Sequence, residues 1–337
     1  MKRKKEIFIE ILRMFACVLV VLYHSRYEVY TYISGGGKIN SLDNACLNGC
    51  FVLGRFAVPL FFIISGYFSF PMKGNTFSFL KNRLKRIFYP LMIWLIIYTI
   101  CLSKFDRMGY DIFHLVQAPH LWFLYALFGI TLMIPLISNF ICNANKNELL
   151  FYIFIWMITL VFNGNYFNYF LNIETDHNGM LFTNPISALI NFYGYLGYVI
   201  IGHYFKKYEI RTFVSLALLA AGCFLTLFLY SFVHLPMDRI IAYCSISNLF
   251  ISSAIFLLVR QFFKKLSVKE PLYNFVCKIG SLSFGIYLSH WLVFQLVYRI
   301  LGIHSVNCIV VSALIFLLSA IVTYMISLTP LKKYIIG

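Results

Sequence analysis

The chain alternates long apolar runs with short polar segments, and this pattern predicts a bundle of membrane-spanning helices. About 20 consecutive apolar residues cross a bilayer as an α-helix. Ten runs approach that length, and we expect each to span the membrane: 7–28, 50–70, 87–103, 119–141, 149–164, 186–205, 212–233, 240–259, 275–298 and 306–328. No internal repeat or low-complexity linker divides the chain, so we interpret residues 1–337 as a single polytopic domain.

Composition indicates that lipid, and not water, surrounds most of this protein. The sequence is 61% hydrophobic and 12% charged, and its mean hydropathy is +0.81. An ordinary soluble domain is about half apolar and about a quarter charged. We therefore expect an all-α integral membrane protein. Its first apolar run is too long for a signal-peptide core and no small-residue cleavage site follows, so it predicts a retained signal anchor.

The positive charge fits a membrane topology better than a nucleic-acid partner. The formal net charge is +16, and basic residues concentrate in cytoplasmic loops of membrane proteins. If the N-terminus is cytoplasmic, 20 of the 28 Lys and Arg fall in inner segments, seven fall in outer ones, and Arg13 lies within a span. We therefore predict that both termini are cytoplasmic, and we expect no nucleic-acid binding.

The nine cysteines give little sign of metal or redox chemistry. Most lie within apolar runs, where cysteine behaves as a small hydrophobic residue. Cys46 and Cys50 fall near an outer segment, which leaves a disulfide between them open. No Cys-x-x-Cys pair is present, so the sequence predicts no metal site.

The first predicted span carries ionisable residues at both ends. Arg13 and His24 are eleven residues apart, which on an α-helix places them on one face and about 16 Å apart. Glu10 precedes Arg13 by three residues and can pair with it. Each residue also has a separate, structural explanation. Arg13 can reach the inner headgroups, and His24 can pack at the interface. Their alignment favours a function, since ionisable groups within a membrane usually mark one.

This helix resembles the opening helix of the membrane acyltransferase-3 family. In "IEILRMFACVLVVLYH", Arg13 and His24 match the family's Arg-x10-His pattern, and Glu10 stands where many members have Asp. "KNRLKRIFYPLMIW" carries an Arg-x-x-Arg at Arg83 and Arg86. Three further stretches are also similar to family patches: "LGRFAVPLFFIISGYF", "HLWFLYAL" and "SFGIYLSHWLVF". The similarity runs from residue 7 to about residue 330.

The resemblance implies an enzyme of a bacterial-type inner membrane. It would transfer an acyl group, commonly acetyl, from the cytoplasmic side to a carbohydrate hydroxyl at or beyond the outer face. Cytoplasmic acyl-CoA, acetyl-CoA in the common case, would be the co-substrate, with no permanently bound cofactor. The acceptor would belong to a surface polysaccharide or its lipid-linked precursor. His24 would be the catalytic histidine and Arg13 its motif partner. Arg83 and Arg86 would lie at the donor side. Neither the oligomeric state nor the choice between general-base and acyl-histidine chemistry follows from the sequence.

Residue chemistry agrees with a donor site at Arg83 and Arg86. The two are three residues apart and share a helix face, and a guanidinium binds phosphate oxygens bidentately. A basic loop resting on anionic lipid would look the same.

Three further side chains are candidates for substrate binding. Tyr287 and His290 are three residues apart in the ninth predicted span and can line one cavity or form a hydrogen-bonded core pair. Trp122, near the start of the fourth span, offers a flat surface for a sugar ring or serves as an interfacial aromatic residue. His120 starts the same span, and the sequence gives it no role.

Two other classes of protein remain open on sequence grounds. A small-molecule transporter also combines about ten spans with ionisable residues in the membrane. An accessory protein of glycan assembly without catalysis would share the scaffold. A transporter needs no CoA, whereas an acyltransferase depends on Arg83 and Arg86.

Overall fold

The fold is known from a computed structural model that describes residues 6–27, 33, 36, 38–103, 118–161, 194–266, 268–301 and 307–337. Every regular element in these ranges is helical. The helices are α1 (Ile7–Ser25), α2 (Ser41–Gly54), α3 (Ala57–Ser69), α4 (Thr76–Arg83), α5 (Tyr89–Ser103), α6 (Trp122–Asn143), α7 (Lys146–Val161), α8 (Leu196–Lys207), α9 (Thr212–Ser231), α10 (Met237–Ile240), α11 (Ile246–Lys265), α12 (Glu270–Leu301), α13 (Cys308–Ser327) and α14 (Lys332–Ile335). A π-helical turn, Leu84–Phe88, joins α4 to α5, and a 3₁₀ turn, Pro119–Leu121, precedes α6.

Eight helical segments in the described part of the chain are long and apolar enough to cross a membrane. They are Ile7–Ser25, Ser41–Ser69, Thr76–Cys101, Trp122–Asn143, Thr212–Ser231, Ile246–Lys265, Glu270–Tyr298 and Cys308–Ser327. The fifth and sixth predicted spans correspond to α7, of 16 residues, and α8, of 12 residues. Both border residues 162–193, which lie outside the described ranges. The protein is therefore a multi-pass helical membrane protein, and the count of ten spans stays a prediction.

Two spans begin well before the positions predicted from hydropathy. The second starts at Ser41 and the third at Thr76. Asn40 and Asn75 cap these helices: their side-chain oxygens accept from backbone N–H groups three residues on, at 2.7 and 2.8 Å. Hydropathy marks bilayer depth, whereas a cap marks where helical hydrogen bonding begins, so these helices extend beyond the apolar runs that predicted them.

The described helices pack as two compact units, and each unit is built from separate stretches of the chain. One unit comprises Met1–Gly54, Met72–Pro135 and Val268–Gly337, and the other comprises Arg55–Pro71 and Leu136–Ser267. In the first, α1 packs on α12, α2 and α13. In the second, α3 packs on α8 and α11, and α9 packs on α11.

Glycines set the closest helix contacts inside each unit. A Cβ added to Gly280 of α12 would lie 2.8 Å from Cβ of Glu10 on α1. In the other unit, a Cβ on Gly66 would lie 2.0 Å from the carbonyl oxygen of Val199 on α8. Membrane helices use small residues in this way because close backbone approach increases van der Waals contact.

The disulfide left open between Cys46 and Cys50 is not formed, since none of the nine cysteines is in a disulfide. Both residues lie on α2, four residues apart, where Cβ atoms are about 5–6 Å apart. Disulfide geometry needs about 3.5–4.5 Å. Cys50 instead lies against Cys308 of α13, with 3.4 Å between the sulfur atoms.

Candidate functional site

His24 lies in the last turn of α1 and belongs to a cluster of aromatic rings within the first unit. Its ring centroid is 5.2 Å from that of His290, 5.4 Å from that of Trp291 and 6.1 Å from that of His120. His24 is half-buried, whereas His120 and His290 are 2% and 1% exposed. Three imidazoles from three distant chain segments therefore meet at one place, which we call the histidine cluster (His24, His120 and His290).

His120 is held in this cluster through its backbone and its ring. The Tyr287 hydroxyl of α12 donates a hydrogen bond to the carbonyl oxygen of His120. On the other side, Nε2 of His120 is 3.5 Å from the hydroxyl oxygen of Tyr98 on α5. The 3₁₀ turn that contains His120 is therefore attached to both α5 and α12.

Tyr98 links α5 to the same part of α12. Its hydroxyl donates to the carbonyl oxygen of Leu288 at 2.7 Å and accepts from the backbone N–H of Leu292 at 3.2 Å. The side chain is almost fully buried, with 1% exposed. These bonds hold the Tyr98 side chain against α12, beside the histidine cluster. They stabilise this arrangement, because a buried polar group is costly to leave without partners.

His290 lies one turn from Tyr287 on α12, as the spacing predicts. Nδ1 of His290 is 2.6 Å from the carbonyl oxygen of Tyr287, and the two rings are 5.9 Å apart. The rings of His290 and His120 are only 4.8 Å apart. The structure thus brings together three predicted site residues, His24, Tyr287 and His290; their roles remain predictions.

At the opposite end of α1, the ion pair that the spacing suggests is present. Nη1 of Arg13 donates to Oε1 of Glu10 at 3.1 Å. Glu10 is 3% exposed and lies against Gly280, while the Arg13 side chain retains 34% exposure. The carboxylate is thus enclosed and the guanidinium remains partly accessible.

Arg83 and Arg86 lie near this end of α1. Arg83 is half-buried, with its guanidinium carbon 5.3 Å from the ring centroid of Phe79, and Arg86 is exposed. The positive charges of both Arg86 and Arg13 act on Arg83. We call these three side chains, Arg13, Arg83 and Arg86, the arginine cluster.

The expectation of one regular helix face through Arg83 and Arg86 was wrong in detail. Arg86 lies inside the π-helical turn, where the Tyr89 N–H donates to the Leu84 carbonyl five residues back. Pro90 comes directly after Tyr89 in the sequence. Proline lacks an N–H and its ring clashes with the carbonyl four residues earlier, so an α-helical turn here is disfavoured.

Trp122 begins α6 two residues after His120 and is half-buried. Its ring lies 6.5 Å from that of Phe123. Its suggested contact with a sugar ring stays a prediction.

Three residues that lie in or against the histidine cluster received no functional role from the sequence: His120, Tyr98 and Trp291. His120 and Trp291 fall within "HLWFLYAL" and "SFGIYLSHWLVF", the stretches similar to family patches, so the resemblance was a usable signal. Tyr98 offered no such signal, because a tyrosine in an apolar run cannot be distinguished from an interfacial aromatic residue by sequence. The predicted outer segment 165–184 lies outside the described residues.

Comparison with known proteins bears on the chain as a whole. No curated protein and no protein of solved structure matches it. A family model does match: the acyltransferase-3 model, described as an acyltransferase domain, covers residues 6–330. Nearly the whole chain, including both ends of α1 and all three histidines of the cluster, lies within that match. The protein therefore belongs to the acyltransferase-3 family and is a multi-pass membrane protein of acyltransferase type.

Proposed function

We propose that this protein transfers an acyl group, acetyl in the first instance, from cytoplasmic acyl-CoA to a sugar hydroxyl. The acceptor would be a surface polysaccharide or its lipid-linked precursor. The enzyme would act in a bacterial inner membrane. One observation carries the proposal: α1 has the arginine cluster near one end and the histidine cluster at the other. About 16 Å of helix separates Arg13 from His24.

The arginine cluster suits the nucleotide end of CoA. That end carries phosphates, and guanidinium groups bind phosphate through two parallel charge-assisted hydrogen bonds. Glu10 offsets one of the three positive charges through its bond to Arg13, so a net positive charge remains. The long neutral arm of CoA would then extend along α1 and carry its thioester towards His24.

The histidine cluster suits the transfer step. A neutral imidazole can take up a proton and return it within one reaction. We propose that His24 acts as the general base: it takes the proton of the sugar hydroxyl while the hydroxyl oxygen attacks the thioester carbon. The carbon–sulfur bond breaks, and the departing thiolate receives the proton from His24. His24 is the most exposed ring of the cluster, which fits direct contact with substrate.

Mass spectrometry of surface glycans tests this function directly. Cells with the wild-type protein should carry a sugar with an added acyl mass that is absent when the protein is removed. His24→Ala should abolish the added mass at normal protein abundance, measured by immunoblot. Unchanged glycan acylation in the His24→Ala strain would refute the catalytic assignment. A substrate gradient that depends on the protein but not on CoA would indicate transport instead.

A further inference from the structure

The hydrogen bonds of His290 determine which of its ring nitrogens carries a proton in the neutral state. Nδ1 lies 2.6 Å from the Tyr287 carbonyl oxygen, and the Ile286 carbonyl is also a partner of the ring. A carbonyl oxygen can only accept. Nδ1 is therefore the N–H, and Nε2 is left with a lone pair.

His120 has the opposite arrangement. Its Nε2 faces the Tyr98 hydroxyl at 3.5 Å, and the single Tyr98 proton is already donated to the Leu288 carbonyl. Nε2 of His120 must then be the donor, because two lone pairs cannot bond to each other. A second bond from the ring to the Leu288 carbonyl agrees with this assignment. Nδ1 of His120 is thereby the acceptor.

Two acceptor nitrogens thus lie on neighbouring buried rings and lack a donor. Among the described residues, neither His120 Nδ1 nor His290 Nε2 has a hydrogen-bond partner. Both side chains are at most 2% exposed, and their ring centroids are 4.8 Å apart. Each unsatisfied buried polar atom costs about 1–3 kcal/mol. An arrangement with two such atoms beside His24 is explained if a ligand supplies the missing donors.

We propose that His120 Nδ1 and His290 Nε2 form a two-acceptor subsite that binds hydroxyl groups of the acyl acceptor, which makes His120 a further substrate-contacting residue. The assignment of those hydroxyls to the acceptor rests on the proposed function. In the neutral state, both nitrogens reject ionised carboxylate oxygens, which only accept hydrogen bonds themselves. The subsite therefore selects a neutral polyol with neighbouring hydroxyls, one of which is presented to His24.

Asn and Gln substitutions separate the acceptor role from the structural contacts. The side-chain oxygen of Asn reaches the position of imidazole Nδ1, and that of Gln reaches Nε2. His120→Asn and His290→Gln therefore keep the acceptor and lose the bonds to Tyr98 and Tyr287. His120→Gln and His290→Asn keep a donor for those structural bonds and lose the acceptor.

We expect the variants without the acceptor, His120→Gln and His290→Asn, to lower acylated glycan per unit of protein by about tenfold or more. The matched variants, His120→Asn and His290→Gln, should lose severalfold less acylation than the variants without the acceptor at the same position. The reverse order, or equal losses in all four, would refute the subsite and leave His120 with a structural role.

Nitrogen NMR on ¹⁵N-histidine-labelled protein in liposomes tests the subsite without turnover. The same variants assign the resonances, which should show protons on Nε2 of His120 and on Nδ1 of His290. Glycerol, a small polyol probe, should shift the two unprotonated nitrogens, and acetate, whose ionised oxygens only accept hydrogen bonds, should not. Opposite tautomers, or a response to acetate alone, would overturn the proposal. Absence of any acylated glycan in wild-type cells, with the NMR result as expected, would count against the enzyme function and not against the polyol subsite.

Discussion

Glu10, Arg13 and His24 share one helix, but their surroundings differ in kind. Glu10 is enclosed by Arg13 and by Gly280 of α12, so its charge is balanced locally. His24 lies among aromatic rings. An ionised carboxylate is costly to bury without a partner, whereas a neutral imidazole tolerates an apolar site. Each residue type thus fits the end of α1 at which it lies.

Changing Arg83 and Arg86 together to Ala should lower glycan acylation by about tenfold or more. Charge-assisted hydrogen bonds of this kind contribute about 1.5–3 kcal/mol each, and both guanidiniums belong to the arginine cluster. The double variant should also show weaker binding of acetyl-CoA by calorimetry in detergent.

Lys81 and Lys85 provide the matched control, since both are exposed in the same segment. Their double replacement by Ala removes the same charge and should leave acetyl-CoA binding within about threefold, because a solvated lysine is a weaker, less directional phosphate ligand. An equal loss in both double variants would assign the segment to lipid anchoring.

Gly280→Ala should impair both stability and acylation. The added Cβ would lie 2.5 Å from Oε2 of Glu10 and 3.1 Å from its Cα, which forces α1 and α12 apart. Overpacking of this type costs about 1–3 kcal/mol, so thermal unfolding in detergent should shift to lower temperature. Gly129→Ala is the control, because no atom of the described residues lies within 4 Å of a Cβ there. If it destabilised the protein as much as Gly280→Ala, the contact with Glu10 would not be the cause.

At the scale of helices, the α3–α8 pair depends on direct backbone contact. Added Cβ atoms on Gly66 and Gly202 would each lie 2.0 Å from a carbonyl oxygen of the facing helix, that of Val199 and that of Ile63 respectively. A carbonyl oxygen of a helix cannot move aside as a flexible side chain can. Both glycines are therefore required for this packing.

Gly66→Ala should destabilise the protein by about 3 kcal/mol or more, at the upper end of overpacking effects. Its expected signature is a lower unfolding temperature and reduced abundance in the membrane. The Cβ of Gly49→Ala on α2 meets no atom within 4 Å in the described part of the chain, so this variant should leave both measurements near wild type. A normal unfolding temperature for Gly66→Ala would contradict the close packing of α3 and α8.

Helix existence was predictable from the sequence, whereas helix geometry was less so. Runs of apolar residues gave the spans because lipid admits few other structures. The π-helical turn at Leu84–Phe88 was missed because its cause, Pro90, is compatible with several distortions. The proximity of Glu10 to Arg13 followed from spacing along one helix. The meeting of His24 with His120 did not, since it depends on how separate helices pack.

At the scale of the whole molecule, orientation remains the main prediction from charge. Both termini should be cytoplasmic, because 20 of the 28 basic residues then face inward. Green fluorescent protein fused to either end should fluoresce, and alkaline phosphatase fused at the same positions should be inactive. Active phosphatase at either terminus would contradict the predicted topology.

Helices α1 and α12 run parallel and touch at three successive levels. Glu10 meets Gly280, the Cys17 sulfur contacts the Ser283 carbonyl at 3.4 Å, and His24 meets His290. The histidine cluster thus joins the beginning of the chain to a segment near its end.

A consequence follows for the order of biosynthesis. Chains emerge N-terminus first, so α1 enters the bilayer long before α12 exists to enclose Glu10. During that interval, an isolated carboxylate or guanidinium in lipid would oppose insertion. Because Glu10 and Arg13 are one turn apart on the same helix, they neutralise each other without help from any other segment. The ion pair therefore lowers the cost of keeping α1 in the membrane until α12 is inserted beside it.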